Sequence, residues 1–134
     1  MKTIKKTIIT NKRTELLDIT HDIQKEINDS KINNGVVVIF TPHTTAGITI
    51  NENADPDVKK DIDYKINKMI PENDSNYFHA EGNSDSHIKS SLFGPSLTLI
   101  IEDEKLILGV WQAIYFCEFD GPRQRKYYIK IISD

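Results

Sequence analysis

Residues 35–41 read GVVVIFT, a continuous apolar run that decides the class of the fold. A run of this length, rich in β-branched residues, predicts a strand, and the lack of polar alternation predicts that both of its faces are covered. The run begins with glycine and follows Asn33 and Asn34, residues that readily adopt the left-handed conformation with which helices end. The sequence therefore predicts a helix immediately before this strand.

The segment before the run predicts that helix and a pair of strands. Thr20 is a suitable N-cap, and Ile23 and Ile27 lie four residues apart on one face that packs on a sheet. β-branched residues dominate residues 2–10 and 14–19, and NKR between them is a plausible turn. These two segments are therefore predicted to form a β-hairpin.

The segment after the run predicts a second helix and most of the strands. Asp55 is a favourable N-cap, Pro56 suits the first helical position, and Pro71 ends the helix. Its apolar stripe consists of Val58, Ile62, Ile66 and Met69. Further strands are predicted for AGITIN, LTLII, KLILGVW, residues 112–119 and RKYYIKII. We therefore predict an α+β fold with mostly antiparallel sheets, a sandwich-like core and about two main helices.

Length and composition exclude several classes of protein. The 134 residues, 15.4 kDa in mass, suit one domain spanning residues 1–134. A formal net charge of -3, from 17 basic and 20 acidic residues, argues against nonspecific nucleic-acid binding. No apolar run reaches the roughly 18 residues of a membrane span. The start lacks a signal-peptide core, and a single cysteine forms no intrachain disulfide, so we expect a cytoplasmic protein.

Three of the four histidines lie in polar, turn-like surroundings and form the first candidate site. His43 follows the strand at residues 35–41, and His79 and His87 are eight residues apart with Glu81 and Asp85 between them. Three imidazoles, or two with a carboxylate, and one open position would bind zinc or a similar divalent ion in a catalytic site. The spacing matches no metal motif, and the alternative is histidines that hydrogen-bond loop backbone.

The segment EFDGPR, residues 118–123, is the second candidate site. It places Glu118, Asp120 and Arg123 at one rim of the sheet, where they would bind an anion or position a base. The alternative is an ordinary turn in which Asp120 accepts backbone amides and Arg123 pairs with Glu118.

Hydroxyl, amide and cationic side chains near the histidines suit a phosphate group. The members of this set are Thr44, Thr45, Asn83, Ser84, Lys89, Arg123 and Arg125. Backbone and side-chain donors of this kind surround phosphates in many proteins. No phosphate-binding glycine loop is present, so loops without a ligand are the alternative.

Cys117 is the single cysteine and lies in the apolar stretch YFCEF. It shares alternate positions with Trp111, Tyr115 and Phe119, a pattern typical of one buried strand face. Cys117 is therefore predicted to be a small core residue, with a catalytic thiol as the alternative.

Three long segments resemble the YjbQ-like family, described as secondary thiamine-phosphate synthases. They are residues 41–58 (TPHTTAGITINENADPDV), 77–99 (YFHAEGNSDSHIKSSLFGPSLTL) and 108–126 (LGVWQAIYFCEFDGPRQRK). The resemblance implies a compact α+β subunit, a homotrimer, and a polar site built from the histidine motifs near subunit boundaries. It also implies a weak side activity that joins hydroxymethylpyrimidine diphosphate to a thiazole phosphate and releases pyrophosphate.

That reaction assigns expected roles to the motif residues, because charge on the leaving pyrophosphate must be stabilised. The expected metal ligands, for zinc or magnesium, are His43, His79 and His87. The expected catalytic residues are His43, Glu81, His87, Glu118, Asp120 and Arg123. The expected substrate contacts are Thr44, Thr45, Asn83, Ser84, Lys89 and Arg123. Two other functions stay open: a metal-dependent hydrolase of a small metabolite, and a protein that binds a small anion without catalysis.

Overall fold

The computed structural model describes residues 3–134, within which there are three helices and eight strands. The strands are β1 (Thr3–Ile9), β2 (Glu15–Asp18), β3 (Gly35–Phe40), β4 (Ala46–Glu52), β5 (Ser96–Glu102), β6 (Lys105–Leu106), β7 (Gln112–Glu118) and β8 (Gln124–Ser133). The helices are α1 (Thr20–Ser30), α2 (Pro56–Met69) and α3 (Ser84–Phe93). In this part of the chain, each helix is too short or too polar to cross a membrane. The first predicted strand began at residue 2, which lies outside the described residues.

The strands pair in two antiparallel sheets, which confirms the predicted α+β class. The larger sheet has the order β1-β8-β3-β5-β6, and the smaller has the order β2-β7-β4. β8 pairs with β1 on one side and β3 on the other, so that Lys130 lies opposite both Thr3 and Val38. β1 and β2 therefore belong to different sheets. The predicted hairpin is wrong, because each of these strands pairs with a C-terminal strand and not with its neighbour in sequence.

The main core joins both sheets to α1. Ile23 and Ile27 are fully buried, as predicted, in one cluster with Val37 of the larger sheet and Phe116 of the smaller. Because each fully buried apolar side chain contributes about 1.5–3 kcal/mol, this cluster is a main source of stability.

The ends of α1 differ from the prediction. Thr20 is the first helical residue and not the N-cap: its backbone N–H donates to the Asp18 carboxylate, and its hydroxyl accepts from the backbone N–H of Ile114. The helix ends at Lys31, which adopts a left-handed conformation with φ of 62°. It therefore stops before the Asn33 signal that was expected to end it.

Within one chain, β3 is covered on only one face. Val37 and Ile39 are buried, but Phe40 on the opposite face is 41% exposed. Ile100 and Ile132, on the two neighbouring strands, are 57% and 46% exposed on that same face, which we call the outer face. The prediction of cover on both faces is wrong for a single chain, since the run packs one apolar face inward and leaves the other outward.

The predicted boundaries of α2 are confirmed, but its apolar stripe is only partly covered. The Asp55 carboxylate accepts from the backbone N–H of Asp57 at 2.9 Å, and Pro56 is the first helical residue. Ile62 packs against a second core cluster, whereas Met69 is 62% exposed. No residue of α2 is fully buried.

Replacing Asp55 with alanine is expected to lower the free energy of unfolding by about 1 kcal/mol, because the Asp57 N–H loses its acceptor. Chemical denaturation of the purified protein measures the change. Asp55→Asn keeps an acceptor at the cap and is the matched control, expected to stay close to wild type. Equal losses in the two variants would contradict the capping explanation.

The C-terminal strands are confirmed except at KLILGVW. Only its first two residues form a strand, β6, and the chain then leaves the sheet, so that Val110 and Trp111 are 88% and 62% exposed. The prediction that Trp111 packs in the core is therefore wrong. Tyr115, Cys117 and Phe119 are buried as predicted.

Candidate functional site

The segment at residues 77–96 contains α3, a helix that the sequence analysis missed and that raises the count to three. α3 turns a polar face inward: the hydroxyl groups of Ser86 and Ser90 donate hydrogen bonds of 2.5 and 2.6 Å to buried backbone carbonyl groups. Its apolar side chains Ile88 and Leu92 point outward and are 39% and 65% exposed. This is the reverse of an ordinary amphipathic helix, so hydrophobic periodicity did not reveal it.

The structure brings His79 and His87 together at the edge of one cavity. Their rings are 5.4 Å apart between centroids and meet edge to face. His79 Nε2 lies 3.6 Å from a carboxylate oxygen of Glu81. The cavity has a volume of about 390 Å³ and is also lined by Tyr77 and Ser84. Two candidate imidazoles therefore face a space large enough for a small molecule, and the Glu81 carboxylate lies beside one of them.

His43 is not part of this pair and instead contacts the end of β8. It is half-buried, and its Nε2 accepts a hydrogen bond of 3.0 Å from the backbone N–H of Lys126. Nε2 therefore carries no proton, and the hydrogen lies on Nδ1. Burial lowers the pKa of His43, and the positive charge of Arg125 lowers it further, so the ring is neutral. Across residues 3–134, no three His, Cys, Asp or Glu side chains are grouped so as to hold a metal ion.

Glu118 is fully buried, and donors occupy both of its carboxylate oxygens. Arg125 Nε lies 2.9 and 3.1 Å from the two oxygens, and Arg125 Nη2 bonds to Oε2. The Thr10 hydroxyl donates to Oε1 at 2.7 Å, and the Asp120 backbone N–H donates to Oε2 at 3.0 Å. Burial alone would raise the pKa of Glu118, but these hydrogen bonds outweigh it and hold the pKa below its ordinary value. Glu118 thus fixes the strand ends that carry the EFDGPR segment.

Asp120 and Arg123 pair with each other at the rim. Arg123 Nη2 lies 3.2 Å from Asp120 Oδ2, and Asn83 Nδ2 donates to the same oxygen at 2.9 Å. The alternative in which Arg123 pairs with Glu118 is wrong. Asn83 directly precedes α3, so the rim is tied to the start of the helix that bears His87. The buried Asn83 Oδ1 has no hydrogen-bond partner within residues 3–134.

Lys89 is fully buried and is grouped with Arg13 in place of the expected Arg123. Lys89 Nζ donates to Asp85 Oδ2 at 2.8 Å, and Arg13 binds both Asp85 oxygens at 3.0 Å. Burial would raise the pKa of Asp85, but the hydrogen bonds from Arg13 and Lys89 lower it below its ordinary value. A cavity of about 480 Å³ adjoins this cluster and is also lined by Asn67.

The remaining candidates occupy different surroundings. Thr44 is exposed, whereas Thr45 is buried and its hydroxyl accepts from Arg125 at 2.8 Å. Ser84 is the first residue of α3 and lines the cavity beside the histidine pair. Cys117 is fully buried, and burial raises the pKa of its thiol, which favours the core interpretation over a nucleophile.

Several contacts of these networks escaped the sequence analysis. Asp85 and Lys89 are four residues apart, a spacing that pairs charges on a helix and would have been informative if α3 had been recognised. Arg13 and Asn67 gave no signal, because they reach the cluster from elements distant in sequence. Arg125 was considered only as a possible phosphate ligand in a basic segment.

Comparison with known proteins agrees over almost the whole chain. The family described as "UPF0047 protein YjbQ-like" matches residues 5–134. The UPF0047 protein MJ1081 of Methanocaldococcus jannaschii is 61% identical over 127 residues, covering 95% of this chain and 91% of that protein. The UPF0047 protein YugU of Bacillus subtilis is 51% identical over 126 residues, covering 94% and 96%.

Solved structures agree with the sequence match. An uncharacterized conserved protein of the YjbQ/UPF0047 family from Clostridium acetobutylicum superposes with a TM-score of 0.94 at 52% identity, over 96% of this chain and 99% of that one. A hypothetical protein from Aeropyrum pernix superposes with a TM-score of 0.93 at 30% identity, over the full length of both chains. With the resemblance of its three motifs and this agreement in fold, the chain belongs to the YjbQ-like UPF0047 family.

Proposed function

We propose that the protein is a transferase that joins hydroxymethylpyrimidine diphosphate to a thiazole phosphate at low efficiency, giving thiamine phosphate and pyrophosphate. The observation that carries this proposal is a row of three neighbouring cavities that share lining residues, which we call the cleft. The cavity beside Lys89 shares Glu72 and Asn73 with a middle cavity, which in turn shares Tyr77 and His79 with the histidine cavity. The cleft therefore has room for two small phosphorylated molecules side by side.

The reaction needs charge stabilisation more than acid–base chemistry. A C–N bond forms between the thiazole nitrogen and the methylene carbon of the pyrimidine, the C–O bond to pyrophosphate breaks, and its electron pair leaves with the pyrophosphate. Holding both substrates in line contributes several kcal/mol in reactions of this type. Hydrogen-bond donors that face the leaving pyrophosphate lower the activation barrier further.

The candidate residues supply such donors and orient them. In this proposal His79 and His87 donate to phosphate oxygens, and Glu81 orients the His79 ring. Ser84 adds a hydroxyl donor at the cavity wall. Asn83 and the Asp120–Arg123 pair fix the start of α3. His43, Thr44 and Thr45 lie in the loop between β3 and β4.

A divalent metal ion, zinc or magnesium, does not fit a single chain. A catalytic site of this kind needs three protein ligands, whereas no three His, Cys, Asp or Glu side chains within residues 3–134 are grouped to hold a metal, and His43 Nε2 already accepts from the backbone N–H of Lys126. We propose that any metal binds only after assembly, with a neighbouring copy supplying the missing ligand. The proposed role of His79 and His87 as donors to phosphate oxygens does not depend on a bound metal.

We propose a homotrimer as the assembled form. The outer face exposes Phe40, Ile100 and Ile132 together, and the outward side of α3 exposes Ile88 and Leu92. Apolar surface of this extent is typical of interfaces between chains. Self-association would cover β3 on its second face, as the run at residues 35–41 indicates.

The double variant His79→Ala/His87→Ala tests the proposal. We expect its turnover of the two substrates to fall about a hundredfold, the lower range of effects for groups that act directly on the reacting atoms. His21→Ala removes an exposed histidine on α1 and is the matched control. Product formation, zinc and magnesium content, and molar mass by light scattering are measured on the same samples.

The outcomes separate the three functions. Unchanged turnover in an assembled double variant would refute the proposal. Hydrolysis of the diphosphate without the thiazole phosphate, abolished together with bound metal, would show the metal-dependent hydrolase. Saturable ligand binding with no turnover by wild type would show a small-anion-binding protein.

A further inference from the structure

The cluster of buried Lys89 and Asp85 with half-buried Arg13 holds more positive charge than its carboxylate requires. Two cations face one carboxylate, and the side chains of Lys89 and Asp85 are 1% and 0% exposed. A bidentate guanidinium is by itself a full partner for a carboxylate, and Arg13 already provides it. Burying a lysine ammonium carries a desolvation cost. Pairing with Asp85 therefore does not explain why Lys89 is buried beside a cavity.

Residues with hydrogen-bond donors line the cavity beside this cluster. Lys89 uses two N–H groups, one on Asp85 and one on Asn67 Oδ1 at 2.6 Å, and its third has no partner among the described residues 3–134. Asn67 Nδ2 donates to Thr14 Oγ1 at 3.1 Å, which leaves the Thr14 hydroxyl hydrogen to act as a donor. Arg13, Thr14 and Lys89 all line the cavity of about 480 Å³.

Glu72 lies at the mouth of this cavity, where an incoming anion would bind. Its carboxylate oxygen is 3.3 Å from Arg13 Nε, and its side chain is 52% exposed. Exposed ion pairs contribute little to stability. A more strongly charged group can therefore replace Glu72 on Arg13 without disturbing the fold.

We propose that this cavity binds a phosphoryl group, with Lys89, Arg13 and Thr14 as donors and Glu72 as the carboxylate that the group displaces. A phosphate carries up to two charges and several acceptor oxygens, which matches one excess cation and three donors. The inference takes its substrate class from the proposed function. It places the outer phosphoryl group of the diphosphate at the Lys89 end of the cleft, with the inner phosphoryl group and the reacting carbon toward His79 and His87.

Binding of inorganic pyrophosphate to the purified full chain, measured by titration calorimetry at low salt, tests this assignment. Lys89→Met is expected to weaken binding by about tenfold or more, because a hydrogen bond to a charged group is lost. Glu72→Gln is expected to tighten binding severalfold, since the competing carboxylate is removed. Glu102→Gln makes the same charge change at an exposed site on β5 and is expected to leave binding unchanged.

If Lys89→Met fails to fold, Glu72→Gln alone tests the assignment, because Glu72 is exposed and its substitution is expected to leave the fold intact. Equal effects of Glu72→Gln and Glu102→Gln would show a general charge effect and overturn the assignment. Absence of pyrophosphate binding by wild type would also overturn it. Pyrophosphate binding that depends on Lys89, without any turnover, would uphold the phosphoryl subsite and refute the proposed synthase. Turnover accompanied by binding that depends on the histidines alone would refute the subsite and uphold the synthase.

Discussion

Replacing Glu118 with alanine is expected to lower the free energy of unfolding by about 3–5 kcal/mol, the range for a buried ion pair that loses one partner. Arg125 is 3% exposed and would be left as an uncompensated buried charge. The Thr10 hydroxyl and the Asp120 backbone N–H would lose the same acceptor. Equilibrium denaturation at fixed protein concentration measures the loss.

Two further variants separate the ion pair from other effects of this substitution. Glu102→Ala removes an exposed glutamate and is expected to change stability by less than about 0.5 kcal/mol. Glu118→Leu/Arg125→Met removes both charges and keeps side-chain volume, so its loss is expected to be smaller than that of Glu118→Ala. A double variant less stable than Glu118→Ala would contradict the explanation by an unpaired Arg125.

The contribution of Glu118 also has a defined pH dependence. Its pKa is held below the ordinary value of 4.5 in the folded protein, so the folded state binds a proton more weakly than the unfolded state. The stabilisation is therefore fully present above pH 4.5 and is lost as pH falls through the lower, native pKa. Between neutral pH and pH 3, wild type is expected to lose more stability than Glu118→Gln. Asp85, whose pKa is also lowered, contributes equally to the loss in both proteins.

Gly121→Ala is expected to lower the free energy of unfolding by about 3 kcal/mol, the upper range for overpacking. A Cβ at this position would overlap the carbonyl oxygen of Lys12 and lie 2.8 Å from both Glu118 Cγ and Thr10 Oγ1. The backbone N–H of Gly121 also donates to the Arg13 carbonyl at 2.9 Å, so the two segments are held together at this point. Backbone and buried groups cannot move aside as a surface side chain can.

Gly109→Ala is the matched control for this substitution. Its added Cβ would meet only the Gln112 side chain, at 3.3 Å or more, and that side chain can move. We expect the control to change stability by less than about 1 kcal/mol. If Gly121→Ala and Gly109→Ala unfold at the same denaturant concentration, the explanation by a steric clash at residue 121 is wrong.

The fold was predictable wherever the signal is local. Asp55 and Pro56 mark the start of α2 by capping chemistry that depends on a few residues, and the apolar runs of β3, β7 and β8 identify themselves as strands. Pairing of β1 with β8 joins opposite ends of the chain, so the turn residues between β1 and β2 carried no information about it. α3 was missed because serines and a buried ion pair, not apolar residues, form its inner face.

The candidate site was predictable only in part for the same reason. His79 and His87 lie close in sequence, and the structure places them side by side. Arg13 reaches Asp85, and Thr10 reaches Glu118, from segments distant in sequence, and a sequence pattern does not specify such contacts. Which ring nitrogen of His43 is free depends on a single backbone N–H of β8, which is likewise a property of the folded chain.

The central position of β8 determines when the protein can fold during synthesis. β8 lies between β1 and β3 in the larger sheet, yet it follows both of them in the chain. β1 therefore has to remain unpaired until β8 has been made, and β2 similarly waits for β7. Until then, the nascent chain carries open strand edges beside the apolar run of β3, and unpaired edges of this kind are prone to aggregation. Formation of the larger sheet is limited by contacts between distant parts of the chain.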